Sequence, residues 1–272
     1  MAGPSLNPSA IVAACTSVLP ESDGWELHSF QVGWYNELVS HHFQLEYEAD
    51  TLAVLILSVP KMFERVFLPW VRKQYVRSGS IDVLKSKIPD PVNMCMREQV
   101  QSAVTMLKSM CDCQNVVTLH DFDMWPNRKP KILMNTCGHA CGAAFYYRPQ
   151  ENEALSMLNG MTTSGKRFLG LSLHPKYGGW FAFRAVLIFP GISASGIPKV
   201  EPVCTLQLDN EEKISRALQL FNYSWQDASF RDLVPVHERY SEQQRQYFSR
   251  TPADRWQLME TWMLEESTDI AE

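Results

Sequence analysis

The chain has no excess of positive charge. Its 25 Lys and Arg residues are outnumbered by 30 Asp and Glu, a formal net charge of -5. Nucleic-acid binders usually carry a basic patch or stripe, so that class is set aside. No apolar run is long enough to cross a bilayer, which takes about 20 residues; the longest is LAVLILSV at 52–59. There is no internal repeat, no low-complexity block and no linker of distinct composition between 25 and 267. Residues 1–7 contain no Lys or Arg, whereas a secretory leader opens on a positive segment. A cytoplasmic chain is therefore expected. Seven cysteines, an odd number, then read as reduced thiols rather than a disulfide framework. Neither G-x-S-x-G nor H-E-x-x-H occurs, which removes the serine-hydrolase elbow and the zinc-protease helix.

What is present describes a globular protein. In 272 residues, 45% are hydrophobic and 20% charged, near globular averages. Residues 1–24, rich in Pro, Ser and Gly, are expected to form a loosely held extension. Residues 25–267 are expected to form a single domain with a helical C-terminal part. Strand signals fall at 51–59 and at 115–122, which holds Val116, Val117 and Thr118. Two more, at 167–174 and 180–189, are separated by PKYGG and predict an antiparallel hairpin. Helices are predicted at 60–72, 90–111, 129–148, 211–221, 241–249 and 252–266. Asp90 and Pro91 have the residue types of an N-cap and a first helical position. The class is α+β, with a largely antiparallel sheet flanked by helices.

Four features bear on chemistry. GMTTSGK at 160–166 has phosphate-loop spacing, but Arg167 stands where Ser or Thr must hold magnesium, and a strand follows instead of a helix. Cys137-Gly138-His139-Ala140-Cys141 offers soft zinc ligands. Only positions 137 and 141 share a helix face, however, so buried small hydrophobes are the simpler account. The nearby Cys111 and Cys113 do not complete a four-ligand set of normal spacing. A helix dense in small residues would place Asn135, His139, Gly142 and Tyr146 on one stripe. Such a stripe suits either close packing or the approach of a large flat ligand. Arg184 interrupts WFAFRAVLIF at 180–189, a strand apolar enough to be buried on both faces. Its guanidinium must there meet a carboxylate, a backbone site or an anionic ligand. HDFD at 120–123 lies at a predicted strand end, where ligand contacts and solvated turns are both common.

Several segments resemble the CblC (MMACHC-like) family of cobalamin-processing proteins. They are FQVGWYNEL at 30–38, LSVPKMFER at 57–65, PNRKPKIL at 126–133, HACGAAFYY at 139–147, HPKYGGWFAFR at 174–184, FRD at 230–232, ERYSEQQ at 238–244 and PADR at 252–255. They occur in order over roughly residues 25–260, and the long 174–184 block is unusual in composition. The resemblance implies a flavin-nitroreductase-like α+β fold. It implies base-off binding of cobalamin and removal of its upper axial ligand. Cyanide would leave by reduction with FMN or FAD, and alkyl groups by transfer to glutathione. By position, the resemblance puts the corrinoid against Asp121, Ile132, Leu133, Met134, Asn135, His139, Tyr146, Tyr147, Arg148, Ser172 and Phe183. It puts glutathione against Arg184, Arg231 and Arg255. It further implies a CblD-like adapter, with methionine synthase and its reductase as partners. The chain departs from the family pattern at Trp125, Cys137, Cys141, Arg148, Ser172 and Ala228. Ala228 stands in place of Trp and implies a less sealed pocket. The rival expectations are a flavin nitroreductase without cobalamin and a non-catalytic cobalamin escort.

Overall fold

A computed structural model describes residues 7–111, 113–151, 167–207 and 210–269. Its centre is a four-stranded antiparallel sheet of β1 (Trp25–Gln31), β2 (Thr51–Ser58), β3 (Val117–His120) and β6 (Ala182–Ser193), in the order β1-β2-β6-β3. Every residue of β2 is buried, because the strand is interior to the sheet and both its faces are covered. This is what its continuous apolar run requires. Leu52, Val54 and Ile56 point to one face, with Ala185, Leu187 and Phe189. That face is covered by α1 (Pro8–Val18), α3 (Leu68–Ser78), α5 (Pro91–Cys111) and α9 (Arg255–Asp269). Ala53, Leu55 and Leu57 point to the other face, with Val186 and Ile188. There they meet the short α6 (Met134–Ala140) and the turn carrying Tyr177 and Trp180.

A separate two-stranded ribbon, β4 (Phe145–Tyr147) with β5 (Leu171–Leu173), packs on α7 (Glu211–Tyr223) around Ile214, Ala217 and Leu218. The remaining helices are α2 (Val32–Asn36), α4 (Ile81–Lys87) and α8 (Glu242–Ser249). The class is α+β, as expected. No described helix is long and apolar enough to cross a membrane.

Local signals explain the helix ends that match the sequence. Asp90 Oδ1 accepts from Asn93 N at 3.0 Å, and Pro91 opens α5. The buried residues Val92, Met96, Val100, Ala103 and Leu107 then recur at helical spacing. Ser241 caps α8 by accepting from Gln244 N at 3.0 Å.

Five expectations need correction. Residues 8–18 are no loose extension: they form α1, capped by Asn7, with Ile11, Ala14 and Cys15 buried in the core. The helix expected at 60–72 begins as a π-turn, Phe63–Phe67, and runs on as α3 to Ser78. Pro69, the second residue of α3, follows the π-turn directly, and the helix continues through it. Helix α4 lies where no helix was predicted, capped by Ser80. The helix expected at 129–148 is confined to Met134–Ala140, because Gly142 turns the chain at φ +77 into β4. The predicted hairpin does not form: β5 pairs with β4, while β6 pairs with β2 and β3. The intervening turn closes on itself through a His174–Gly178 bridge. The phosphate-loop match at 160–166 lies outside the described residues.

Candidate functional site

Arg184 owes its orientation to a β-bulge. Ile56 pairs with Ala185 and Leu57 with Phe183, so Arg184 has no partner on β2. Such an insertion re-aims the side chain. Arg184 is 5% exposed, and its Nε donates to Ser58 Oγ at 2.7 Å. Backbone pairing brings Asp121 alongside, since Asp121 N donates to Arg184 O at 3.1 Å. Asp121 Oδ1 is buried without a hydrogen-bond partner. Burial pushes this carboxyl up to about 6, and the Arg184 charge offsets only part of the rise. The buried Arg184 thus answers to a hydroxyl and a neighbouring carboxylate, and forms no direct ion pair with any described acid.

Around α6 the small residues are filled by the chain itself. A Cβ on Gly138 would lie 2.4 Å from the Phe183 ring, one on Gly142 2.6 Å from Val200 O, and one on Gly170 2.4 Å from the Tyr146 ring. Close internal packing therefore accounts for Gly138 and Gly142. The predicted stripe is not helical, because Tyr146 lies on β4. The turn nevertheless returns Tyr146 to the helix, where its N–H donates to His139 Nδ1 at 3.2 Å. Burial lowers the His139 pKa, and Arg148 lowers it further. In the neutral ring the proton is then on Nε2. Asn135 and Ser172 also meet, with Ser172 Oγ donating to Asn135 Oδ1 at 2.9 Å. Arg148 lies over the Tyr146 ring at 5.3 Å and pairs with Glu151 at 2.8 Å.

Among the other predicted contacts, Ile132, Met134 and Tyr147 are buried and Leu133 is half-buried. Ile132 is 2% exposed. Tyr147 turns its hydroxyl toward the segment beside the ribbon and α7, where it accepts from Leu206 N at 2.9 Å. Met134 and Leu133 flank the start of α6, and Leu133 N donates to Tyr35 Oη at 3.1 Å. Cys137 and Cys141 are buried thiols. Burial pushes Cys141 up to about 12, and its Sγ lies 3.5 Å from Gly138 O.

The arginines assigned to glutathione divide between two settings. Arg231 lies 4.9 Å from the Phe230 ring and 5.3 Å from those of Trp180 and Tyr240, and it bonds Gly179 O. It lines an open cavity of about 330 Å³ with Trp180, Trp225, Ala228, Tyr240 and Phe248. Arg255 lies over Tyr247 and Phe248 and donates to Tyr247 O at 3.2 Å. Arg184 is on the helical side of the sheet, near Tyr247, and is not among the residues lining this cavity.

Sequence reasoning missed one cluster. Glu26 and His28, two apart on β1, share a strand face. Both meet His174, and the three ligand atoms lie within 4.8 Å of one another. Glu26 Oε1 is 2.7 Å from His28 Nε2 and 2.9 Å from His174 Nε2. Burial works to raise the Glu26 pKa, but the hydrogen bonds from His174 and His28 hold it at about 2. The E-x-H alternation was the available signal; its partner lay 146 residues downstream of His28, beyond any local pattern.

The chain is similar to known proteins over most of its length. Residues 24–259 match the Methylmalonic aciduria and homocystinuria type C (MMACHC) family. An MMACHC-like protein of Caenorhabditis elegans is 40% identical over 250 residues, 90% of each chain. The cyanocobalamin reductase / alkylcobalamin dealkylase of Gallus gallus is 38% identical over 87% of this chain and 90% of its own. That of Homo sapiens is 36% identical over 87% of this chain and 76% of its own. The crystal structure of a C. elegans B12-trafficking protein, CblC, matches with a TM-score of 0.84 at 38% identity, covering 93% of this chain and 96% of that one. The chain belongs to the Methylmalonic aciduria and homocystinuria type C family.

Proposed function

We propose that this protein binds cobalamin base-off and removes its upper axial ligand, by reductive decyanation of cyanocobalamin and by glutathione-dependent dealkylation of alkylcobalamins. The observation that carries the reading is 36–38% identity, over 87% of this chain, to proteins named cyanocobalamin reductase / alkylcobalamin dealkylase. Cobalamin is the substrate, and the face around α6 is its proposed seat. There His139, with Nδ1 engaged by Tyr146 N, presents an N–H donor in its neutral form and no lone pair for cobalt. Asn135 and Ser172 hold each other beside it.

For dealkylation, glutathione releases its thiol proton to solvent and the thiolate attacks the cobalt-bound carbon. The carbon–sulfur bond forms, the cobalt–carbon bond breaks, and its electron pair stays on cobalt as cob(I)alamin. Arginine suits the two carboxylates of glutathione. Arg231, at the wall of the 330 Å³ cavity, is the best placed of the three assigned arginines to meet one. Arg255 shares the Phe248 wall. Binding energy spent there fixes the sulfur, which is catalysis by positioning. A reduced flavin would supply the electron for decyanation. The described residues single out no cradle for its ring system. The family resemblance extends the reading to a flavin-nitroreductase-like kinship, a cytoplasmic location and a CblD-like adapter.

The test is anaerobic incubation of protein-bound methylcobalamin with glutathione. Loss of the methylcobalamin spectrum, with one S-methylglutathione formed per cobalamin, is the expected result. An unchanged spectrum overturns the dealkylase reading and leaves an escort.

A further inference from the structure

We infer that Glu26 is a positioning residue for Arg231, acting through His174 and the turn that follows it; the functional half of this inference rests on the glutathione reading above. Glu26, His28 and His174 have the ligand types of a metal centre, but the His174 ring is committed otherwise. Its Nδ1 accepts from Lys176 N at 3.0 Å and from Tyr177 N at 3.3 Å. The neutral ring therefore carries its proton on Nε2 and has no lone pair for a cation there. A metal-bound imidazole does the reverse, donating its second N–H outward. The Nε2 proton goes to Glu26 Oε1 at 2.9 Å. The carboxylate thus fixes the ring, and the ring fixes the turn.

The turn in turn holds Arg231. His174 and Gly178 exchange two backbone hydrogen bonds, of 2.8 and 2.9 Å. Gly178 takes φ +56, and a Cβ there would lie 2.4 Å from Arg231 O. Gly179 N donates to Arg231 O at 3.0 Å, and the Arg231 guanidinium bonds Gly179 O in return. Trp180, the next residue, donates its indole N–H to Asp232 at 2.7 Å and lies against Arg231. Both ends of Arg231, backbone and guanidinium, are gripped by the turn that His174 organises. Glu26 touches neither Arg231 nor its cavity, and its effect passes through one imidazole. His28, 2.7 Å from the same Oε1, steadies the carboxylate from its own strand.

The test compares Glu26→Ala and Glu26→Gln with the full-length wild type. Hydrogen exchange, read by mass spectrometry without ligand, reports the turn at 174–180. Methylcobalamin dealkylation reports the KM for glutathione, and an absorbance titration reports the dissociation constant of cobalamin. For Glu26→Ala we expect exchange at Gly178 and Gly179 to speed up about tenfold and the KM for glutathione to rise about tenfold, the lower end of what a charge-assisted hydrogen bond supports. Cobalamin affinity should stay within about twofold of wild type. Gln keeps a carbonyl acceptor and should recover both readings to within about threefold. If the Ala variant does not fold, the same smaller shifts in the Gln variant decide. An unchanged turn, a loosened turn with unchanged glutathione KM, or an equal loss of cobalamin and glutathione affinity overturns the inference. Wild-type protein that fails to use glutathione counts against the functional reading and against the KM half of the inference; the exchange data then decide the positioning half alone.

Discussion

Asp121 and Glu26 are two largely buried carboxylates in different parts of the molecule, and their pKa values move in opposite directions. Asp121, beyond the end of β3, has a cation for a neighbour, yet its carboxyl is pushed up to about 6. Glu26, on the edge strand β1, has only imidazoles, and it is held down at about 2. The difference lies in who donates. Arg184 gives its Nε to Ser58, and Asp121 Oδ1 is left without a partner. Glu26 Oε1 lies within 2.9 Å of two imidazole nitrogens. Hydrogen bonds to the charged form outweigh burial at Glu26, while a nearby charge without a hydrogen bond does not at Asp121.

The strongest way to break this comparison is to remove the cation. Arg184→Leu leaves Ser58 Oγ without its donor and Asp121 without a compensating charge, and each buried polar group so left costs about 1–3 kcal/mol. Urea unfolding at pH 7 should show that loss, and the double variant with Asp121→Asn should regain part of it. If Asp121→Asn gains no more in the Arg184→Leu background than in the wild type, the two groups are not coupled. Next in size is Glu26. Its folded value lies below the ordinary 4.5, so its contribution is complete above that pH and is lost as pH falls toward about 2. Glu26→Ala should cost about 1.5–3 kcal/mol at pH 7 and flatten this acid limb. A limb that keeps its slope in the variant must arise elsewhere.

Asp121 has the opposite sign. Its folded carboxyl keeps a proton up to about 6, whereas the unfolded chain releases it near the ordinary 3.8. Between those values the folded state binds more protons, so stability falls as pH rises through that window and is level above it. Asp121→Asn should remove the slope and raise stability at pH 7 by about 1–3 kcal/mol. A loss at pH 7 would show that the ionised carboxylate has a partner of its own.

The two regions also differ in how far the sequence disclosed them. The buried run of β2 and the cap and periodicity of α5 were legible because each rests on neighbours a few residues apart. Arg184 announced itself as the one charge in an apolar strand, although its bulge and its bond to Ser58 depend on a strand 126 residues away. The Glu26 cluster was silent for the same reason. So was the fate of residues 129–148, where small residues read as a long helix until Gly142 turned the chain against Val200. The 174–184 block was legible as a likeness, but its pairing was not, because β5 chose β4 over the adjacent β6. Local chemistry was written in the sequence; which distant element would supply each partner was not.

The smallest expected effect sharpens the comparison by transferring it to two histidines. His139 and His174 both accept backbone N–H groups at Nδ1. His174 gives its Nε2 proton to Glu26, whereas among the described residues nothing accepts from His139 Nε2. One imidazole is thus spent on structure and the other has a donor to offer. His139→Asn can keep an acceptor for Tyr146 N while deleting the distal donor, so unfolding should shift by no more than about 0.5–1 kcal/mol. Loss of one hydrogen bond to the substrate should weaken cobalamin binding about tenfold, or 1.4 kcal/mol. An absorbance titration with aquacobalamin and with methylcobalamin reads this directly. Equal affinity for wild type and variant would assign His139 to packing beside Phe145, whose ring it meets edge-on at 4.9 Å. A large loss of stability with unchanged affinity would make it a second His174. The expected pattern, weak binding in a protein as stable as wild type, would separate the face that receives the substrate from the clip on β1 that holds the arginine in place.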